Sequence, residues 1–233
     1  MMKKIAGKKP NIIKELAGRL FFFLPQIPSY VQVGITNKCN FNCKMCPRAF
    51  LNVPYKDMDF ELFKKIVARL NGVYEINLSS WGETLLHPRI FEMIKYCKDL
   101  GFKTDFTSNG SLLSPSVADK LIKAGLDRIS FSIDTLKPGS SWGHNITNQI
   151  KNIEDFSKRI KETKITPQTT IHQDSLDDIL EIIKFAKEIN AEKVNLARLD
   201  VRFDKNLKRH IQQISPLSVL HFYKVYLSLL YNS

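Results

Sequence analysis

The sequence predicts an α/β fold in which six parallel strands alternate with helices in a partial, TIM-like (β/α)6 barrel. Strand-like runs and helical patterns alternate over residues 30–200. The connections are long enough for helices, which favours parallel over antiparallel strands. The strands also alternate polar and apolar residues, although a parallel sheet covered on both faces is apolar throughout. We therefore expect helices on one face of a curved sheet and a polar cavity on the other.

The predicted strands follow one another along this region. They are Val31–Thr36, Tyr74–Ser79, Phe102–Thr107, Arg128–Ile133, Ile165–Ile171 and Lys193–Leu199. The alternation is clear in the second strand, where Ile76 and Leu78 oppose Asn77 and Ser79. The fourth strand repeats it. Its Ile and Phe residues should face the helices, and Ser130, Ser132 and Asp134 should face the cavity.

Helix start and stop signals separate these strands. Asp59 is a predicted N-cap, Pro88 is predicted to open the second helix, and Ser114 with Pro115 opens the third. Gly101 and Gly125 are predicted to end the second and third helices. Weaker helical patterns cover Asn145–Lys161 and Leu176–Ile189.

Length and composition exclude several classes of protein. The 233 residues, 43% hydrophobic and 25% charged, suffice to bury a core and rule out a disordered or collagen-like chain. Four cysteines are too few for a small disulfide-stabilised secreted scaffold. The longest apolar run, Leu20–Pro25, is too short to span a bilayer.

The net charge of +12 is concentrated outside the central region. Residues 1–30 carry six Lys and Arg against one Glu, and residues 201–233 carry five against one Asp. Residues 31–50 add three cations, whereas residues 51–200 are balanced at 21 against 21. This pattern suggests an anionic partner near the two ends, such as a nucleic acid, a lipid surface or a phosphorylated substrate. Solubility explains scattered charges equally well.

The two ends are predicted as separate segments. Residues 1–29 form a basic amphipathic segment, in which apolar side chains repeat at helical spacing from Ile12 to Leu20. We expect this helix to pack on its own domain, with peripheral membrane contact as the alternative. Residues 201–233 form a short basic segment with a closing helix that opens at Ser215.

Three of the four cysteines form a CxxxCxxC array, Cys39, Cys43 and Cys46, directly after the first strand. Thiolates are soft ligands that suit iron–sulfur clusters, zinc or Cu(I). A structural zinc site needs four ligands, and Cys97 lies on the apolar stripe of a helix, where we expect a small buried side chain. Three thiolates on a four-iron cluster instead leave one iron with an open coordination site. A non-catalytic iron–sulfur or zinc-binding protein remains the alternative.

The CxxxCxxC spacing in the loop after the first strand resembles the signature of the radical S-adenosylmethionine (radical SAM) superfamily. The resemblance implies that Cys39, Cys43 and Cys46 hold a [4Fe–4S] cluster whose fourth iron chelates S-adenosylmethionine. One electron then cleaves the cofactor and yields a 5′-deoxyadenosyl radical that abstracts a hydrogen atom. The resemblance also implies an electron donor such as flavodoxin or ferredoxin and a reducing, cytoplasmic location.

Further motifs extend the resemblance over about residues 30–200. Trp81-Gly82-Glu83-Thr84 resembles the Gly-Gly-Glu-Pro element that positions the methionine amino group, with Trp81 in place of the first glycine. Met45 occupies the position of an adenine-packing residue that is usually aromatic. The remaining cofactor-binding residues implied at the strand ends are Thr107, Asn109, Ser132, Asp134 and Gln173.

The target of the radical is the least constrained part of the prediction. The sequence resembles the core domain of SPASM/twitch-type maturing enzymes but lacks their auxiliary-cluster cysteines, since none follows Cys97. The chain is thus expected to be a minimal or a truncated member. We expect peptide, protein or cofactor maturation, with an RNA-modifying relative as the alternative because of the basic ends.

Overall fold

Six parallel strands form one sheet in the order β1-β2-β3-β4-β5-β6. The computed structural model describes residues 4–9, 28–43, 45–50, 52–137, 146–171 and 176–198. The strands are β1 Tyr30–Gln32, β2 Glu75–Asn77, β3 Lys103–Ser108, β4 Arg128–Ser132, β5 Lys164–Ile171 and β6 Asn195–Arg198. Every neighbouring pair is parallel. The curled half-barrel that they form with the helices confirms the predicted partial (β/α)6 architecture.

Five α-helices connect the strands. They are α1 Phe60–Val67, α2 Ile90–Asp99, α3 Pro115–Ala124, α4 Thr147–Arg159 and α5 Leu176–Glu188. The predicted cap at Asp59 is confirmed, because its side chain accepts hydrogen bonds from the N–H groups of Glu61 and Leu62. Ser114 likewise caps α3, and Gly125 ends it with a φ of 82°, in the left-handed region that favours glycine.

The prediction that Pro88 opens α2 is wrong by two residues. A short 3₁₀ helix, Thr84–Leu86, comes first, and α2 begins at Ile90. The ring Nδ1 of His87 accepts the Arg89 N–H at 3.1 Å, which holds the intervening Pro88 in a turn.

Strands β1 and β2 are shorter than predicted because neighbouring backbone groups bond elsewhere. The Ile35 carbonyl accepts the N–H of Met58 at 2.7 Å, and Thr36 forms an isolated antiparallel bridge with Asp57. The Ser79 N–H turns back to the side chain of Asn77 at 2.9 Å. Both chain segments therefore leave the sheet early and become part of the loops at its carboxyl end.

The hydrophobic core lies between the sheet and the helices. On the sheet, Ile76, Leu78, Ile129 and Phe131 are fully buried, which confirms the predicted apolar face. Cys97 of α2 is also fully buried in this core, as expected for a small apolar side chain.

The opposite face is polar as predicted, but the amino-terminal half of it is buried rather than wet. Asn77, Asp105 and Ser130 are each 7% exposed. The side chains of Arg128 and Glu75 fill this end of the half-barrel with an ion pair of 2.6 Å.

The predicted terminal helices lie outside the described residues. In the predicted amino-terminal segment, the structure describes the short stretch of residues 4–9, which precedes the helix, and residues 28–29, which follow it. Residues 4–9 add backbone hydrogen bonds at the edge of the fold. The Ile5 N–H donates to the Leu100 carbonyl at 3.1 Å, and the Gly7 N–H donates to the Val73 carbonyl. Within the described ranges, we find no helix with the length and apolar character needed to cross a bilayer.

Candidate active site

The loop that follows β1 carries the three clustered cysteines at the carboxyl end of the sheet. All three are partly buried, and none of them is in a disulfide. The Cys46 N–H donates to the Cys43 carbonyl at 3.0 Å, which makes a tight turn around Met45. The Phe41 N–H donates to the Cys39 sulfur at 3.4 Å. These backbone hydrogen bonds orient the cysteine side chains without a bound ligand.

The thiols lie near enough to affect one another's ionisation. Burial, followed by the charges of Cys46, Cys39 and Asp134, raises the pKa of Cys43 to about 12. Burial also raises the pKa of Cys39, against a smaller opposing effect of the Arg48 cation. At neutral pH these two thiols hold their protons, so a metal that binds them as thiolates must displace protons. The effect of Asp134 also shows that the end of β4 faces this loop.

Residues 54–58 form a strap over the cysteine loop. Within it, Asp57 accepts hydrogen bonds from the Thr36 hydroxyl and from the Lys38 ammonium, both at 2.7 Å. The Asn37 side chain donates to the Pro54 carbonyl at 2.9 Å and accepts the Lys56 N–H at 2.6 Å. The strap therefore holds the beginning of the cysteine loop through side chains as well as through the Thr36–Asp57 bridge.

Arg48 holds the same loop from its other end. Its Nη2 donates to the Phe41 carbonyl, and its Nη1 donates to the Tyr55 hydroxyl at 3.0 Å. The guanidinium carbon also lies 5.4 Å from the centroid of the Tyr55 ring. This side chain thus connects the segment between Cys39 and Cys43 to the strap.

Gly82 allows the loop after β2 to pack directly on the cysteine loop. A Cβ at this position would lie 2.5 Å from the Lys38 carbonyl oxygen and 2.6 Å from that of Thr36. The next residue, Glu83, donates its backbone N–H to the same Lys38 carbonyl at 2.7 Å. Only a residue without a side chain fits this approach.

The Glu83 carboxylate ties the loop after β2 to the end of β3. It is 2% exposed. One oxygen accepts the Ser108 hydroxyl at 2.8 Å and the Leu85 N–H at 3.0 Å, while the other accepts the Asn109 N–H at 2.7 Å. Burial raises the pKa of this carboxyl against the opposing effect of those donors. Glu83 is therefore a buried structural acceptor, whatever else it contacts.

Two side-chain amides connect the cysteine loop to the end of β3. Asn109 Nδ2 donates to Asn40 Oδ1 at 3.0 Å, and Asn40 Nδ2 donates to the Ser111 hydroxyl at 2.8 Å. The Ser111 hydroxyl donates in turn to Asn109 Oδ1 at 2.6 Å. Sequence reasoning named Asn109 but missed Asn40 and Ser111.

The polar residues of β3 and β4 occupy the same end of the half-barrel. Thr107 donates its N–H to the Ser79 hydroxyl at 2.7 Å. Asp134 accepts the Thr170 N–H at 2.9 Å, and burial raises the pKa of its carboxyl. Ser132, the last residue of β4, is partly buried, and its carbonyl accepts a hydrogen bond from Gln149 Nε2 at 2.9 Å. Of the predicted residues, only Gln173 lies outside the described part of the chain.

A cavity of about 700 Å³ lies beside the strap rather than over the cysteines. Its lining includes Thr36, Asp57, His87 and Arg89. His87 is 2% exposed, and its second ring nitrogen, Nε2, is 3.0 Å from the Met58 carbonyl. With both nitrogens engaged, His87 supports the strap and is not poised as a base or a ligand.

The three thiols of the cysteine loop are a donor set that suits a [4Fe–4S] cluster. Among the residues that the structure describes, no three His, Cys, Asp or Glu side chains converge as the ligands of one ion. A four-iron cluster does not need such convergence, because each thiolate binds a different iron. Three neighbouring thiols on one loop therefore suit a [4Fe–4S] cluster, and a closed zinc site finds no fourth ligand in this loop.

Comparison with known proteins agrees with this geometry. Residues 33–197 match the family model of the Radical SAM superfamily. The chain belongs to this superfamily. Radical SAM proteins use a [4Fe–4S] cluster and S-adenosylmethionine, so the predicted family and its cofactors are confirmed.

Individual radical SAM relatives share only part of their length with this chain. The tungsten-containing aldehyde ferredoxin oxidoreductase cofactor-modifying protein of Pyrococcus furiosus is 33% identical over 110 residues, covering 46% of this chain and 31% of that protein. The AdoMet-dependent heme synthase of Methanosarcina barkeri is 28% identical over 176 residues, covering 70% and 48%.

A solved structure shares the fold. Streptococcus suis SuiB, bound to its precursor peptide SuiA, superimposes with a TM-score of 0.65 at 20% identity, over 90% of this chain and 50% of that one. The chain thus spans half or less of the length of each of these three proteins.

Proposed function

We propose that this chain is the catalytic half-barrel of a radical SAM enzyme, in which Cys39, Cys43 and Cys46 bind the [4Fe–4S] cluster. When bound and reduced, the cluster supplies one electron that cleaves S-adenosylmethionine to methionine and a hydrogen-abstracting 5′-deoxyadenosyl radical. The observation that carries the proposal is the family match over residues 33–197, with three cysteines outside any disulfide on the loop where that family binds its cluster.

The residues around the loop would bind and orient S-adenosylmethionine. We assign this role to Met45, in the turn between the cysteines, and to Ser132 and Asp134 at the end of β4. Asp134 is close enough to Cys43 to affect the pKa of its thiol, which supports a position beside the cluster. Gly82, Glu83, Thr107 and Asn109 would contribute mainly by fixing the loops against each other, since their described contacts join these loops. Gln173 keeps its proposed role near adenine or substrate.

We further propose that the radical acts in maturation of a peptide or of a cofactor. The peptide is favoured by the shared fold of SuiB, a structure that contains its precursor peptide. The cofactor is favoured by two of the sequence relatives, a cofactor-modifying protein and a heme synthase. Incubation of the reconstituted enzyme with deuterated candidates of each class would show which one transfers deuterium to 5′-deoxyadenosine. RNA modification remains the alternative prediction.

The electron is proposed to come from a flavodoxin or ferredoxin. Residues 31–50 carry three cations and no acidic residue, and this sequence composition favours an acidic protein partner. An oxygen-sensitive cluster also favours a reducing compartment, which in most cells is the cytoplasm.

Anaerobic reconstitution tests the central proposal. We expect about four irons per chain, absorption near 400 nm, and 5′-deoxyadenosine on addition of dithionite and S-adenosylmethionine. Cys43→Ala should abolish the iron content and the product. Cys97→Ala is the matched control, because Cys97 lies in the hydrophobic core and should not contribute a ligand. A Cys43→Ala protein that still makes 5′-deoxyadenosine would overturn the assignment.

A further inference from the structure

The Arg48 guanidinium lies against the backbone of the cysteine loop. Two of its three nitrogens are engaged, Nη2 by the Phe41 carbonyl and Nη1 by the Tyr55 hydroxyl. The group is planar and rigid, so these two contacts also fix the direction of the third nitrogen, Nε. Arg48 is therefore an oriented donor and not a freely moving surface cation.

Nε is a buried donor that forms no hydrogen bond with the residues that the structure describes. A buried N–H without an acceptor is unfavourable, and such groups in native proteins normally have a partner. An acceptor that arrives with a bound group would complete the coordination of this side chain.

The positive charge of Arg48 lies against the segment between Cys39 and Cys43, because Nη2 donates to the Phe41 carbonyl. Reduction of a [4Fe–4S] cluster adds one negative charge, and hydrogen bonds to the cluster sulfurs raise the reduction potential. A fixed cation with an unused N–H beside the ligand loop is suited to stabilise that added charge.

We propose that Arg48 donates its Nε–H to a sulfur of the cluster or of its cysteine ligands, and thereby raises the reduction potential of the cluster. This inference rests on the proposed function, because it requires the cluster on Cys39, Cys43 and Cys46. It assigns Arg48 a role beyond holding Phe41 and Tyr55 in place, and that role has an electrochemical signature that loop support alone does not have.

The test is an EPR-monitored redox titration of the reconstituted chain with dithionite, without S-adenosylmethionine. The electron from dithionite converts the oxidised [4Fe–4S]²⁺ form into [4Fe–4S]⁺, and iron analysis is run on each sample. The variants are Arg48→Gln, which removes the cation, and Arg48→Lys, which keeps the charge but loses the planar donor. The control variant is Arg69→Gln, which removes an exposed arginine just after the end of α1.

We expect Arg48→Gln to lower the equilibrium constant for reduction of the cluster about tenfold. For a one-electron couple this is a shift of about 59 mV to lower potential. The potential of Arg48→Lys should shift in the same direction by less, and that of Arg69→Gln should match the wild type. A wild-type potential in Arg48→Gln, at full iron content, overturns the inference alone. If Arg48→Gln does not retain iron, an unchanged potential in Arg48→Lys overturns it instead. A wild-type chain that binds no cluster overturns the proposed function and this inference together.

Discussion

The side-chain amides of Asn40 and Asn109 form a 3.0 Å hydrogen bond that joins the cysteine loop to the end of β3. Asn40 directly follows Cys39 in the sequence, and Asn109 directly follows Ser108. The Ser108 hydroxyl donates a hydrogen bond to the Glu83 carboxylate. The position of the first cysteine is therefore coupled to the buried carboxylate through one short chain of contacts. Two loops that form one ligand site need a fixed position relative to each other, and the Asn40–Asn109 hydrogen bond holds these two loops together without a metal.

We predict that Asn40 and Asn109 are energetically coupled. The double variant with both residues changed to alanine should cost about 1 kcal/mol less than the sum of the two single variants, because one hydrogen bond is lost once. Urea unfolding of the four proteins measures this coupling energy. Additive effects within about 0.3 kcal/mol would mean that the amide contact contributes nothing to stability.

We predict that Glu83→Gln destabilises the fold although it is nearly isosteric. The carboxylate accepts three hydrogen bonds in a buried site, and the amide nitrogen of glutamine would face an N–H or O–H donor instead. The expected loss is about 3 kcal/mol in the free energy of unfolding. Glu188→Gln, at an exposed position on α5, is the control and should change stability by less than about 0.5 kcal/mol. Equal effects of the two substitutions would contradict the buried-acceptor role.

The strands and helices were predictable because their signals are local. The Asp59 and Ser114 caps, the Gly125 stop and the apolar face of β4 all follow from residue type and spacing, and the structure confirms them. The early end of β1 was not predictable in this way. Ile35 continues the strand pattern, but its carbonyl bonds to Met58, a residue 23 positions later in a segment without strand periodicity.

The candidate site shows the same division. The cysteine spacing is visible in the sequence because it lies within eight residues, whereas the contacts of Arg48 and Asn40 depend on how separate loops meet. The prediction of a wet polar face was too broad for a related reason, because it included the amino-terminal half of the sheet, which is buried. Alternation predicts which face Asp105 occupies, but only the three-dimensional curl and the Arg128–Glu75 pair show that its end of the barrel is closed.

We predict that Gly82→Ala disrupts the cysteine loop. The added methyl group would lie about 2.5 Å from the Lys38 carbonyl, so one of the two loops must move, at a cost of about 1–3 kcal/mol. The free energy of unfolding and the iron content after reconstitution should both fall. Gly34→Ala is the matched control, because its methyl group would lie 3.1 Å from the Ser80 side chain and no closer than 3.8 Å to the Ser79 carbonyl oxygen. A Gly82→Ala protein that behaves like Gly34→Ala would show that the close approach is not required.

The buried carboxyl of Asp105 predicts a pH dependence of stability. Burial, with a smaller contribution from Glu75 and against the effect of Arg128, raises its pKa from 3.8 to about 6. In that interval the folded protein binds more protons than the unfolded chain, so stability must fall as the pH rises, and the loss is complete above the folded pKa. Between about pH 4.5 and about pH 7 the expected loss is about 2 kcal/mol.

Asp105→Asn isolates this effect, since asparagine keeps the shape of the side chain and cannot ionise. The difference in unfolding free energy between the wild type and the variant should change by about 2 kcal/mol over that pH range. The wild type should become less stable relative to the variant as the pH rises. Asp119→Asn, at an exposed position on α3, should leave the wild-type pH profile unchanged. Parallel pH profiles for Asp105→Asn and the wild type would show that Asp105 is already ionised at pH 4.5 in the folded protein, and that its neighbours Arg128 and Lys193 outweigh its burial.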